Sequence, residues 1–167
     1  MKKALLFLIT SLLAAQVASA QTGWIDYKIG DKLSVKLPEQ PTRLNENGVY
    51  VRGSDSTVYI VATVDFFKAE GLDSAKIAAQ APTAEFANTL KTGMLGQMQG
   101  TTLGDVKIGK WKGYTSYTIE GGNATNQLKF YTFMVFIGTN VYSLMAWVPE
   151  NHDNKEKDDY FNSLVLN

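Results

Sequence analysis

The chain is expected to fold as an α+β domain, an antiparallel β-sheet flanked by helices, and three observations lead there. Short runs rich in Val, Ile, Tyr, Phe and Thr, broken by Gly, Asn, Asp and Pro, occupy both halves of the chain beyond residue 20. Between them, residues 73–98 switch to the apolar spacing of a helix. The connections are short, which suits hairpins and antiparallel pairing, since a parallel pair needs a long crossover.

The start of the chain carries a different signal. Lys2 and Lys3 form a basic segment, Ala4–Ala15 a short apolar run, and Ala18-Ser19-Ala20 a small-residue cleavage site. Residues 1–20 are therefore expected to be a signal peptide and 21–167 a single domain. Taking 20 from 167 leaves 147 residues, enough for a real core. The protein is expected to be exported, periplasmic or secreted. A lipid anchor needs Cys at position 21, and the chain has no Cys, so lipidation there, disulfides and thiol chemistry are all excluded. Without Lys2 and Lys3, 14 basic residues face 16 acidic ones, a net charge of −2. That balance argues against a nucleic-acid partner.

The elements follow in order. Gly30-Asp31 separates a strand at Trp24–Ile29 from one at Lys32–Leu37. Asn47-Gly48 is a hairpin signal joining Thr42–Glu46 to Val49–Gly53. Thr57–Phe66 is a long β-branched strand. Asp73-Ser74 caps a helix over Ala75–Ala81, which Pro82 interrupts. From Thr83, Phe86, Leu90, Met94 and Met98 line one face of a second helix. Gly93 and Gly96 each cost it about 1 kcal/mol. Burying four large side chains is worth at most about 6–12 kcal/mol, so this helix should form when docked on the sheet. Strands resume at 104–111 and Tyr114–Glu120, and Gly121-Gly122-Asn123 is expected to turn the chain into a strand over Asn126–Ile137. After Pro149, residues 151–163 read as a capped polar helix with Tyr160 and Phe161 facing inward, before a short end at 164–167.

Phe130–Val148 needs a separate decision, because its nineteen residues lack any charge. Length alone makes it a membrane-span candidate. Gly138-Thr139-Asn140 at its centre, its β-forming flanks and the lack of a basic cluster after it favour a hairpin instead. Tyr131, Phe133, Val135 and Ile137 would then share one face, and Phe130, Met134 and Phe136 the other, so the hairpin should sit centrally and be covered on both sides. No integral membrane segment is expected after leader removal.

Taken in order, Leu33–Pro41, Thr57–Phe66, the helix ending near Gly100, Ile108–Gly121, Phe136–Pro149 and Tyr160–Leu166 resemble the PsbP-like family. The resemblance covers nearly all of the chain beyond the leader and implies an antiparallel sheet sandwiched between helices, an α/β/α sandwich. It also implies a non-enzymatic role. Photosynthetic members of the family are extrinsic lumenal subunits of an assembly, a eukaryotic relative binds a small GTPase, and bacterial members are often exported. No assembly-binding or ion-retaining residue of the photosynthetic members can be matched here.

Catalytic, cofactor-binding and metal-binding residues are all expected to be none. His152, the single histidine, lies beside Asp153, but a zinc site wants several His or Cys ligands. Asp153, Glu156, Asp158 and Asp159 lack the alternation and central Gly of a calcium loop and read as a solvated helix face. Lys91-Thr92-Gly93 matches a triplet of penicillin-recognising enzymes without its partner motifs. There is no G-x-S-x-G elbow, P-loop or G-x-G-x-x-G. A facing pair of carboxylates is not expected, because the acids cluster in turns and on the last helix. Asn123-Ala124-Thr125 matches a glycosylation sequon. Trp111, Tyr114, Tyr117, Tyr142 and Trp147 either pack the core or line a ligand or partner face. The expected role is a non-catalytic binding or assembly module with a protein partner and no cofactor. The alternative is a carrier of a small apolar ligand between helix and sheet, and an unrecognised hydrolase comes third.

Overall fold

The computed structural model describes residues 23–152 and 155–167, so the expected signal peptide at 1–20 and Asp153-Asn154 of the expected cap lie outside the described residues. Those residues form eleven strands and four helices. The larger sheet has eight strands in the order β3-β4-β5-β10-β9-β8-β6, with β7 pairing on the β6 edge of β8. Its strands are β3 (Thr42–Asn45), β4 (Gly48–Arg52), β5 (Val58–Asp65), β6 (Thr102–Leu103), β7 (Lys107–Trp111), β8 (Tyr114–Asn123), β9 (Leu128–Ile137) and β10 (Asn140–Pro149). All of its pairs are antiparallel. β1 (Ile25–Ile29), β2 (Leu33–Leu37) and β11 (Val165–Leu166) make a second, small antiparallel sheet.

The β9–β10 hairpin is the spine. Its strands pair from Asn140 opposite Ile137 to Pro149 opposite Leu128, across a two-residue turn at Gly138-Thr139. The charge-free stretch is therefore a hairpin, and no helix among the described residues is long and apolar enough to cross a membrane. Alternation sorts the β9 side chains as the sequence suggested, and the β10 side chains follow the same rule. Val135, Ile137, Tyr142, Leu144, Ala146 and Val148 enter one core, and Met134, Phe136 and Val141 the other.

The first core is closed by the small sheet and by α4 (Lys155–Asn162). Leu33, Val35 and Leu37 are buried there against Tyr59 and Val61. Tyr160 is fully buried, and Phe161 packs partly against the same core, so both face inward as expected. The Tyr160 hydroxyl donates to Ile60 O at 2.8 Å, which ties the last helix to β5. The second core lies under α1 (Phe66–Glu70), α2 (Ser74–Gln80) and α3 (Ala84–Gln97).

Four details depart from the sequence reading. The long strand ends at Asp65, whose carboxylate accepts from the Phe67 and Lys68 amides and starts α1, with Gly71 as its left-handed cap. The Asn47-Gly48 hairpin exists, but Glu46-Asn47 makes the turn: Asn45 Oδ1 accepts from Asn47 N at 2.8 Å, and Gly48 already pairs with Ala62. Gly121, Gly122 and Asn123 do not turn the chain. They extend β8, because a Cβ at Gly121 would stand 2.2 Å from Thr102 O, so only glycine lets β6 approach; the turn follows at residues 124–127. In α3 only Ala87 is buried, and Phe86, Leu90 and Met94 are half-buried, so docking gains less than four full burials would give.

Candidate functional site

The helix-facing side of the large sheet is filled at its centre by stacked rings. Phe66 meets Phe86 at 5.9 Å between centroids, Phe86 meets Phe136 at 6.0 Å, and Phe136 meets Tyr117 at 4.8 Å. The Tyr117 hydroxyl donates to Ala81 O at the end of α2, and burial pushes its pKa up from 10.0 to about 12. Two clefts border this interface. One cleft of about 290 Å³ lies between α2 and the turns beside it, with Ile77, Ala81, Tyr114 and Phe136 as apolar walls. Lys110 also lines it and donates to Thr115 Oγ1 at 3.1 Å. A second cleft, of about 360 Å³, opens beyond the C-terminal end of α3.

The helices do not cover this face evenly. Tyr59 and Val61 of β5 point into the first core, so Val58, Ile60, Ala62 and Val64 point to the helix side. Tyr50 lies opposite Ile60, and Ile60 opposite Met145, which makes one row across β4, β5 and β10. Ile60 and Met145 are half-buried, Tyr50 is 36% exposed and Val64 37%. Leu44, on the edge strand β3, is 52% exposed. Tyr50, Ile60, Met145 and Val64 make an apolar strip along the β4–β5 side of the sheet.

On the opposite face, Tyr59 is fully buried between Trp24 and Tyr160, with ring centroids 5.7 and 4.9 Å away. Its hydroxyl has no hydrogen-bond partner among the described residues. Burial first, then the charges of Asp55, Glu156 and Asp159, push its pKa above the ordinary tyrosine range. Asp55 Oδ1 and Glu156 Oε2 lie 2.9 and 3.7 Å from where a Gly53 side chain would begin, so carboxylates from distant parts of the sequence do come together here. Asp55 is committed to its own loop, accepting from Thr57 N at 2.9 Å and Thr57 Oγ1 at 2.7 Å. The described residues contain no group of three or more acidic or imidazole side chains arranged for a metal ion.

The residues singled out from sequence scatter. His152 is exposed just after β10, and its amide donates to Pro149 O at 3.1 Å. Lys91-Thr92-Gly93 lies within α3, where Lys91 Nζ sits 4.0 Å from Asp105 Oδ1. Asn123 of the sequon is buried, and its Nδ2 donates to Gln99 O at 3.3 Å, so it is not free for modification in this fold. The five aromatics form no common patch. Tyr117 enters the helix-side core, while Tyr142, Trp111 and Tyr114 belong to the other core. Trp147 stands apart at the second cleft. The open strip escaped sequence reading because Tyr50, Ile60 and Met145 lie on three separate strands and meet only through strand pairing.

Comparison with solved structures places this architecture. The chain has a PsbP-like fold: it superposes on cyanobacterial PsbP from Synechocystis with a TM-score of 0.66 at 13% identity, over 89% of this chain and 95% of that one. A protein from Bacteroides thetaiotaomicron (TM-score 0.43, 10% identity, 88% of this chain and 49% of that one) matches more loosely. So does a Pseudomonas aeruginosa protein of unknown function (0.47, 10%, 83% and 91%). No protein-family profile and no curated protein matches the chain. At these identities the likeness defines the fold.

Proposed function

We propose that the protein is an exported, non-catalytic binding or assembly module that docks a protein partner on the open strip of its large sheet. The observation that carries this is the row from Tyr50 through Ile60 to Met145, flanked by exposed Val64. Apolar side chains grouped on an otherwise well-packed sheet favour a protein surface that removes them from water. The leader pattern at residues 1–20 supports action outside the cytoplasm, and the PsbP-like resemblance supports a non-enzymatic role. The ring ladder from Phe66 to Tyr117 fills the space where a carrier would hold its ligand, which weighs against the carrier reading.

The test is site-specific photo-crosslinking in the native envelope. A crosslinker at Tyr50 or Val64 should capture one discrete partner, and one at Lys36, on the small sheet, should not. Tyr50→Arg should abolish capture at normal protein abundance. Equal capture from both sites, or none from the strip, overturns the assignment.

A further inference from the structure

The second cleft carries an inference independent of the docking strip. Its floor is built by Val58, Trp147 and Leu128 on three adjacent strands. Trp147 lies directly opposite Val58 on β5 and Phe130 on β9. Phe130 is fully buried and packs on the indole at 4.7 Å and 45°, which fixes the ring. The end of α3 and the segment after it supply the wall and bring Gln97 and Gln99 to the rim, with Asn126 contributed by the β8–β9 turn. Asn123 holds both pieces in place: its Nδ2 donates to Gln99 O at 3.3 Å, and its Oδ1 accepts from Asn126 N at 3.1 Å. The side-chain amides of Gln97, Gln99 and Asn126 and the indole N–H of Trp147 have no protein partner among the described residues. No charged residue lines the cleft.

We propose that this cleft binds a neutral saccharide. A pyranose ring has an apolar C–H face and a rim of hydroxyls that both donate and accept. The fixed indole, Val58 and Leu128 match the first, and amides, which also donate and accept, match the second. A lining without charge gives no advantage to an anionic or cationic ligand and leaves no ion to desolvate. The volume of about 360 Å³ falls at the small end of the range for small-molecule sites and has room for about one or two rings. A peptide strand would want an aligned row of backbone donors and acceptors, which a free strand edge offers and this rim of separate side chains does not.

The experiment titrates isotope-labelled protein, from Gln21 onward, with neutral gluco-, manno-, galacto- and N-acetylglucosamine oligosaccharides. An oligouronate and a neutral peptide serve as comparisons. At least one neutral sugar should shift the backbone resonances of residues 97–101 and 126–128 and the Trp147 indole signal. Trp147→Ala should weaken binding about ten-fold or more. Because Trp147 also packs on Phe130, the double variant Gln99→Ala/Asn126→Ala tests the same site from its exposed rim. It should leave the melting temperature unchanged and weaken binding about three- to ten-fold. The proposal fails if no neutral sugar moves these resonances at about 10 mM. It fails equally if the oligouronate or the peptide binds there in preference, or if the rim variant binds as the parent does.

Discussion

Raising the pH should unfold this protein through its buried tyrosines. Tyr59, Tyr117 and Tyr160 are fully buried, and all three hold their protons more tightly than free tyrosine, chiefly because burial disfavours the phenolate. Tyr142 is raised as well, by burial and then by Asp31. In the unfolded chain each hydroxyl titrates near its ordinary 10.0, while Tyr117 in the fold waits until about 12. The folded state therefore binds more protons than the unfolded state above pH 10, so stability is complete below that point and falls as pH rises. Each such tyrosine costs about 1.4 kcal/mol per pH unit in this window. Two units give at most about 3 kcal/mol for Tyr117, and Tyr59 and Tyr160 add to the loss in the same direction. A domain of this size is typically stable by about 5–15 kcal/mol, so losses of this kind from several tyrosines should bring on unfolding above pH 10. The assay follows tyrosinate absorbance and far-ultraviolet circular dichroism over one alkaline titration. Part of the tyrosinate signal should lag the urea-unfolded control and then appear together with loss of the β-sheet signal. If all eight tyrosines of the chain ionise near pH 10 with the sheet intact, the burial argument is wrong.

Three further outcomes are expected. Gly121→Ala forces a methyl to 2.2 Å from Thr102 O and should cost about 1–3 kcal/mol, seen as a lower urea midpoint at unchanged slope; an unchanged midpoint would show that β6 is free to move away. His152→Ala should change stability by less than about 0.5 kcal/mol and preserve complementation of a deletion strain, and loss of function at normal abundance would redirect attention to chemistry near residue 152. Protein purified from the envelope should begin at Gln21 on N-terminal sequencing, whereas intact Met1 would overturn the export reading.

Local chemistry made much of this fold legible in the sequence. Alternation along Phe130–Ile137 separated the residues of the two cores, because successive side chains of a strand point to opposite faces whatever lies beyond them. Asp73 and Thr83 announced their helices because each side chain accepts from an amide only three residues away. Asp65 and Gly71 bracket α1 with the same kind of signal, masked by the strand-like run into Phe66. Tertiary structure decided what local rules cannot reach. Gly121 reads as a turn residue, and only the closeness of Thr102 makes it a strand residue. The Tyr59 hydroxyl, Asp55 and Glu156 meet because α4 returns over β5, some hundred residues later in the chain. The cleft at Trp147 depends on where α3 ends over the sheet, and the open strip at Tyr50 on which strands pair beside β5. Helix spacing says which side of α3 faces inward, but not how far across eight strands that side will reach.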